Sequence, residues 1–205
     1  MTFEELIRFL PRPVTPRATV LRPGVRYSDQ PNPKFIAPTF SIERPFASGR
    51  TSTILVSAPA AVGKSTIATE LAHLSSAMVW DLAGFQVGTD TFSGTILSCF
   101  GDSAPAILAG LTRGDFLLVL DALDEAHVRA GVQNFEAFLE DITRKLKTAR
   151  AHPALVLFAR SETSELIALA LELEDVPFAR LTVDFFDRER ANAFLERRLG
   201  NILRE

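Results

Sequence analysis

The chain has 205 residues, of which 47% are hydrophobic and 23% charged, a composition typical of a globular domain and unlike that of a disordered chain. This length fits one compact domain with an appendage and excludes a large multidomain machine, while the single cysteine, Cys99, excludes an internal disulfide or a multi-cysteine zinc site. The net charge of −3 combines a basic excess in residues 1–50 with an acidic excess in residues 51–205, and neither favours a nucleic-acid partner.

The N-terminus does not resemble an export signal, because Glu4 and Glu5 stand where a signal peptide is basic. The apolar runs at 116–120 and 154–159 are too short to span a bilayer. Together with the lone cysteine, these features predict a cytoplasmic protein without a membrane partner.

Residues 1–50 form a proline-rich segment, since eight of the twelve prolines fall within positions 1–45. Proline removes a backbone donor and biases the preceding residue toward extended conformations. We therefore expect an extended lead-in over 1–50, with a short helix at 3–10 and an extended piece at 38–46. The remaining residues, 51–205, are expected to form the core domain.

From residue 51 onward, short apolar runs alternate with segments of helical periodicity, which is typical of a parallel α/β sheet. The pattern predicts helices over 131–149 and 187–199. It also predicts five strands, at 53–57, 77–82, 116–120, 154–158 and 179–183. The expected fold class is therefore α/β, a three-layer sandwich around a five-stranded parallel sheet.

The first predicted strand leads into a loop that matches a phosphate-binding pattern. Residues 58–65 read A-x-x-x-x-G-K-S against G-x-x-x-x-G-K-[ST]. In such a loop, backbone N–H groups surround a phosphate, the lysine (Lys64) reaches the β- and γ-phosphates, and the hydroxyl (Ser65) ligates Mg²⁺. The candidate nucleotide-binding residues are Ala58, Pro59, Ala60, Ala61, Val62, Gly63, Lys64, Ser65 and Thr66.

Ala58 and Ala61 stand where glycine is usual in this pattern. A Cβ at these positions restricts φ and narrows the approach to the phosphates, so we expect weakened nucleotide affinity and weak turnover. The alternative is that Gly-Lys-Ser is an ordinary helix start.

The third predicted strand ends in acidic residues, FLLVLDALDE at 116–125. Asp121, at the carboxyl end of a buried strand, is positioned to hold Mg²⁺ opposite Ser65. Glu125 is the candidate for polarising the attacking water, and Asp124 is a second candidate or an orienting residue. The alternative is that Asp124 and Glu125 are solvated acids that cap the next helix.

These motifs together resemble the signal-transduction ATPases with numerous domains, the STAND class, and among them the NACHT-type NTPases. The resemblance rests on APAAVGKS at 58–65, LLVLDALDE at 117–125, VLFARSE at 156–162 and LTVDFFDRERANAFLERRL at 181–199. It covers residues 51–199, and it implies a P-loop NTPase fold.

The resemblance further implies a Mg²⁺- and ATP-dependent switch, in which bound nucleotide decides between a closed monomer and an assembly that activates an effector. Bacterial relatives of this kind often act in defence against phage. The implied roles are phosphate binding for Lys64, Mg²⁺ ligation for Ser65 and Asp121, support of hydrolysis for Asp124 and Glu125, and sensing of the γ-phosphate for Arg160.

Family members continue past the fifth strand into lids and a sensor region. We therefore expect this chain to be the excised core of a longer protein, with self-association or further domains as partners. The alternative is a minimal member that borrows the missing parts from partners. Adenine contacts are expected from residues 38–50. For Arg160, the alternative is a surface ion pair with Glu162 or Glu165.

Three other functions stay open. The first is a nucleotide-binding oligomerisation module with negligible turnover, which the two loop alanines favour. The second is a P-loop kinase of a small molecule, although an arginine-rich lid is not visible after the fourth predicted strand. The third, a GTPase, is least favoured because the N/T-K-x-D base-reading motif is missing.

Overall fold

The computed structural model describes residues 1–11, 17–47, 51–147 and 152–199. Its strands are β1 (Val25–Tyr27), β2 (Phe40–Arg44), β3 (Thr53–Ser57), β4 (Met78–Asp81), β5 (Leu118–Asp121), β6 (Leu155–Ala159) and β7 (Phe178–Val183). Its helices are α1 (Phe3–Phe9), α2 (Lys64–Ser75), α3 (Thr91–Phe100), α4 (Ala104–Arg113), α5 (Leu123–Ala130), α6 (Val132–Leu146), α7 (Ser161–Leu173) and α8 (Arg188–Leu199).

The strands form one sheet of seven strands in the order β1-β4-β5-β6-β3-β7-β2. Neighbours from β4 to β7 pair in parallel, whereas β1 pairs antiparallel with β4 and β2 pairs antiparallel with β7. The prediction of a five-stranded, wholly parallel sheet is therefore wrong in strand number and polarity. Both added strands come from the proline-rich segment and lie at the sheet edges, where neighbouring prolines interrupt no central ladder.

The core lies in two layers, one on each face of the sheet. One layer packs α1 and α2 against alternate strand residues such as Ile54 and Val56. The other packs helices α3 to α7 against the intervening residues, such as Leu55. Because the central strands are buried on both faces, their sequences are continuously apolar rather than alternating.

Helix α1 belongs to the first of these layers. The Thr2 side chain accepts a hydrogen bond from the Glu5 amide, and the Glu5 carboxylate accepts one from the Thr2 amide, which is a capping box. Phe3 and Leu6 on the same helix are buried in the core beside α2. The start of the proline-rich segment thus packs on the helix that follows the phosphate-binding motif.

One stretch, Thr91–Arg113, is long and apolar enough to cross a membrane by length and composition alone. In the structure it comprises α3, a short 3₁₀ turn at Gly101–Ser103 and α4. Phe92 and Ile96 from this stretch are fully buried in the core. Core helices of globular proteins satisfy the same length and composition criterion.

Candidate nucleotide-binding site

The predicted phosphate loop connects β3 to α2, so it lies at the carboxyl ends of the parallel strands and at a helix N-terminus. Gly63 precedes the helix with a φ of +82°, in the left-handed region that glycine adopts without strain. Helix N-termini of this kind offer free N–H groups and a positive dipole end to an anion. An α/β sheet covered on both faces, with this strand, loop and helix, is consistent with a P-loop NTPase-like fold.

The two alanines that replace glycine have different environments. Ala58 is completely buried, and its amide donates a 3.1 Å hydrogen bond to the Ala159 carbonyl, so its methyl group contributes to the core. Ala61 is exposed and has a φ of +64°, which costs a residue with a Cβ roughly 1 to 2 kcal/mol. Strain in this loop is therefore located at Ala61.

Asp121 ends β5 and is 1% exposed. Its Oδ1 atom accepts a 2.8 Å hydrogen bond from the Ala122 amide, whereas Oδ2 has no hydrogen-bond partner among the described residues. Burial raises the pKa of this carboxyl above its usual range, and the nearby Ser65 side chain and the Ala122 amide oppose the rise. A buried, unpartnered carboxylate oxygen is costly unless a cation compensates it, so Ser65 and Asp121 fit a Mg²⁺ ion between them.

Asp124 lies in the first turn of α5 and is buried. Its Oδ1 atom is 3.3 Å from Lys64 Nζ, and its Oδ2 atom is 2.8 Å from Arg160 Nε. The structure therefore brings Lys64, Asp124 and the predicted sensor arginine, Arg160, together. Asp124 is buried, so it is not a solvated helix cap. Arg160 pairs with Asp124 rather than with Glu162 or Glu165.

Glu125 follows Asp124 and is exposed. It borders an open cavity of about 660 Å³, which Asp124, Arg160 and His127 also line. The His127 ring stacks on Phe135 with centroids 4.7 Å apart. Glu125 is therefore an exposed acid in the first turn of α5 that borders this cavity.

A second cavity, of about 550 Å³, borders the phosphate loop. Its walls come from loop residues 60–63, from residues 32–38 and from the chain around α8. Most of the wall side chains are apolar or aromatic, which suits a flat heterocyclic base. Those apolar residues include Phe35, Ile36, Pro38, Val62, Ile67, Phe185, Phe186 and Phe194.

Residues 38–50, the predicted source of base contacts, contribute little to this cavity. Of the described residues in that range only Pro38 lines it, because residues 40–44 form β2 at the sheet edge. Positions 48–50 lie outside the described residues. The wall comes instead from residues 32–38, for which the sequence carries no helical or strand periodicity.

Residues 28–39, here called the strap, connect the two edge strands across the face of the sheet that α2 covers. His73 Nδ1 lies 2.7 Å from the Ser28 carbonyl oxygen, and the buried carboxylate of Glu70 accepts a 3.0 Å hydrogen bond from the Asn32 amide. Near the other end, Arg190 on α8 donates a 2.8 Å hydrogen bond to the Thr39 hydroxyl. The strap is thus held between the phosphate-loop helix and α8.

Strand β1 adds one further residue that sequence reasoning missed. Arg26 lies 3.4 Å from Asp81, which stands in register with Asp121 on the neighbouring strand, and it also donates to the Thr69 hydroxyl of α2. The Arg26 guanidinium therefore neutralises Asp81, the acid that lies beside Asp121 at this edge of the sheet. A three-residue strand between prolines gives no pattern from which this placement could be read.

No model of a known protein family matches the chain, and no curated protein matches it. Nine solved chains do match it, among them a mutant of RuvB from Thermotoga maritima. That chain is 19% identical, with a TM-score of 0.40, and the match covers 74% of this chain and 44% of RuvB. This chain therefore spans less than half the length of that structure, and a match at this level assigns neither family nor activity.

Proposed function

We propose that this chain binds Mg²⁺ and ATP at residues 58–66 and hydrolyses the nucleotide slowly, as the switch module of a signalling ATPase. The observation that carries the proposal is the convergence of Lys64 and Ser65, from the loop, with two buried acids, Asp121 at the end of β5 and Asp124 in the first turn of α5. An ammonium group, a hydroxyl and two carboxylates, gathered at the carboxyl ends of parallel strands, suit a phosphate chain with a divalent cation.

The phosphates would be bound by the backbone amides of the loop and by the Lys64 ammonium group. Ser65 and Asp121 would hold Mg²⁺, which when bound neutralises the phosphate charge. No cluster of three His, Cys, Asp or Glu side chains is present in the described ranges, so water and phosphate oxygens would complete the ion's shell. The aromatic cavity beside the loop would take the base.

Hydrolysis would proceed by in-line attack of water on the γ-phosphorus. The new P–O bond forms as the bond to the β–γ bridging oxygen breaks, and ADP and phosphate leave. Glu125 would orient the water and accept its proton, while Lys64 and Arg160 stabilise the charge on the transferring oxygens. The exposure of Glu125 and the strain at Ala61 support slow turnover.

The resemblance to NACHT-type NTPases extends this proposal to a biological role. Bound ATP would favour an assembled state and ADP a closed monomer, and the assembly would activate an effector, in bacteria as part of defence against phage. Light scattering of the protein with a non-hydrolysable ATP analogue and with ADP tests this part. An identical mass in both nucleotide states would contradict it.

Calorimetry with ATP, ADP and GTP in the presence of Mg²⁺, followed by phosphate release from the same samples, tests the core of the proposal. Lys64→Ala should abolish binding, while Lys147→Ala, at an exposed lysine directly after α6, should leave it unchanged. Glu125→Gln should retain binding and lose release, while Glu140→Gln, another exposed acid, should retain both. Equal ATP affinity for Lys64→Ala and the parent would exclude the loop as the phosphate site.

A module that holds ATP with negligible turnover is the second candidate. It is favoured by Glu125, which is exposed rather than held over the site. Binding without Glu125-dependent release would select this function. Transfer of phosphate to a small molecule instead of water would select a kinase.

A further inference from the structure

Asp124 contacts two cations that belong to different elements. Lys64 lies at the start of α2, and Arg160 lies between β6 and α7. The side chain of Asp124 is 9% exposed and that of Lys64 is 13% exposed, whereas that of Arg160 is 56% exposed. A carboxylate buried to this degree is stabilised by its ion pairs with the two cations.

Lys64 and Arg160 are also the two cations that the proposed function assigns to the γ-phosphate. A γ-phosphate beside Lys64 brings negative charge to within a few ångströms of the Asp124 carboxylate, and like charges repel strongly in a poorly solvated site. A nucleoside diphosphate lacks this group, so the pair between Asp124 and Arg160 can persist when it binds. Arg160 is half-exposed and lines the open cavity of about 660 Å³, where a third phosphate could reach it.

We propose that Asp124 sets the preference between triphosphate and diphosphate, because its carboxylate occupies Lys64 and Arg160 until a γ-phosphate replaces it as their counter-ion. This inference rests on the proposed function. The exchange releases Asp124 from two ion pairs at once, and the first turn of α5 therefore responds to the third phosphate. Binding of ADP breaks fewer ion pairs of Asp124, because the contact between Asp124 and Arg160 stays in place.

The test compares binding of ADP and of a non-hydrolysable ATP analogue, both with Mg²⁺. Asp124→Asn keeps the shape of the side chain and removes the charge, so the affinity for the triphosphate should rise about tenfold relative to that for ADP. Glu162→Gln is the matched control, because Glu162 is an exposed acid that lines the open cavity beside Arg160. It should leave the affinity ratio unchanged.

An affinity ratio for Asp124→Asn equal to that of the parent, or shifted toward ADP, overturns the inference while leaving the proposed function intact. If the parent binds neither nucleotide, the proposed function fails and the inference fails with it. These two failures are therefore distinguishable in the same set of titrations.

A measurement without nucleotide tests the contact itself. Lys64→Met should lower the unfolding midpoint of the parent, because it leaves Asp124 with Arg160 alone, and it should have little effect in the Asp124→Asn background. Additive effects of the two substitutions would show that Lys64 and Asp124 are uncoupled, and the inference would be wrong. Circular dichroism of each variant monitors folding.

Discussion

The amide of Asn32 and the carboxylate of Glu70 join the strap to the phosphate-loop helix through a 3.0 Å hydrogen bond. Glu70 is 6% exposed, and the Asn32 side chain in turn accepts a hydrogen bond from the Lys34 amide. Asn32, Lys34 and Phe35 all line the aromatic cavity. Glu70 therefore positions a wall of the proposed base site without touching it.

Replacing Glu70 by alanine should lower nucleotide affinity several-fold, because the Asn32 amide loses its acceptor and the strap loosens. The free energy of unfolding should fall by about 1 to 3 kcal/mol, the usual cost of an unsatisfied buried polar group. Glu70→Gln keeps an oxygen acceptor and should restore most of both quantities. Calorimetry and chemical denaturation measure them, and equal affinities for Glu70→Ala and the parent would rule out the positioning role.

The two loop alanines should respond oppositely to glycine. Ala61→Gly relieves a strained positive φ and should raise the free energy of unfolding by up to about 1 kcal/mol. Ala58→Gly removes a buried methyl group and adds backbone freedom, so it should lower the same quantity by about 1 kcal/mol or more. Urea denaturation of both variants measures the difference, and changes of the same sign would contradict this assignment of strain.

The buried carboxyl of Asp121 should make stability depend on pH. Its pKa is raised by burial, so between the unfolded value, about 4, and the higher folded value the native state binds more protons than the unfolded state. The free energy of unfolding contributed by this group therefore falls as pH rises through that interval. Asp121→Asn should be more stable than the parent at pH 7 in the absence of Mg²⁺ and nucleotide, and the gap should close toward pH 4.

Denaturation of the parent and Asp121→Asn between pH 4 and pH 8 measures this difference. Adding Mg²⁺ with nucleotide should reverse the order at pH 7, because only the parent offers a carboxylate to the ion. A stability difference that does not change with pH would show that Asp121 does not carry the effect.

The aromatic wall of the cavity can be tested at Phe35, whose ring lies 5.0 Å from that of Phe3. Phe35→Ala should weaken ATP binding about tenfold, because stacking area against the base is lost. Phe9→Ala is the matched control, since Phe9 stacks on Phe46 outside the cavity with centroids 4.6 Å apart. Calorimetry should show unchanged affinity for the control, and an equal loss in both variants would indicate a general effect on folding.

The sequence by itself determined the parts of this protein that are encoded in contiguous residues. The strand, loop and helix around Lys64, the acidic end of β5 and the apolar runs of the central strands follow local patterns, because backbone geometry and burial repeat over a few residues. The predicted strands match β3 to β7 to within two residues at every boundary.

Only the tertiary structure decided the features that depend on contacts between distant residues. Asn32 meets Glu70 across 38 positions of the chain, and Asp124 lies between Lys64 and Arg160, which come from separate strand ends. Edge strands of three and five residues between prolines have no periodicity to distinguish them from loops. These strands pair with the backbone groups of β4 and β7 at the two edges of the sheet. Those edges form only when the central strands have assembled, so no local pattern encodes the pairing.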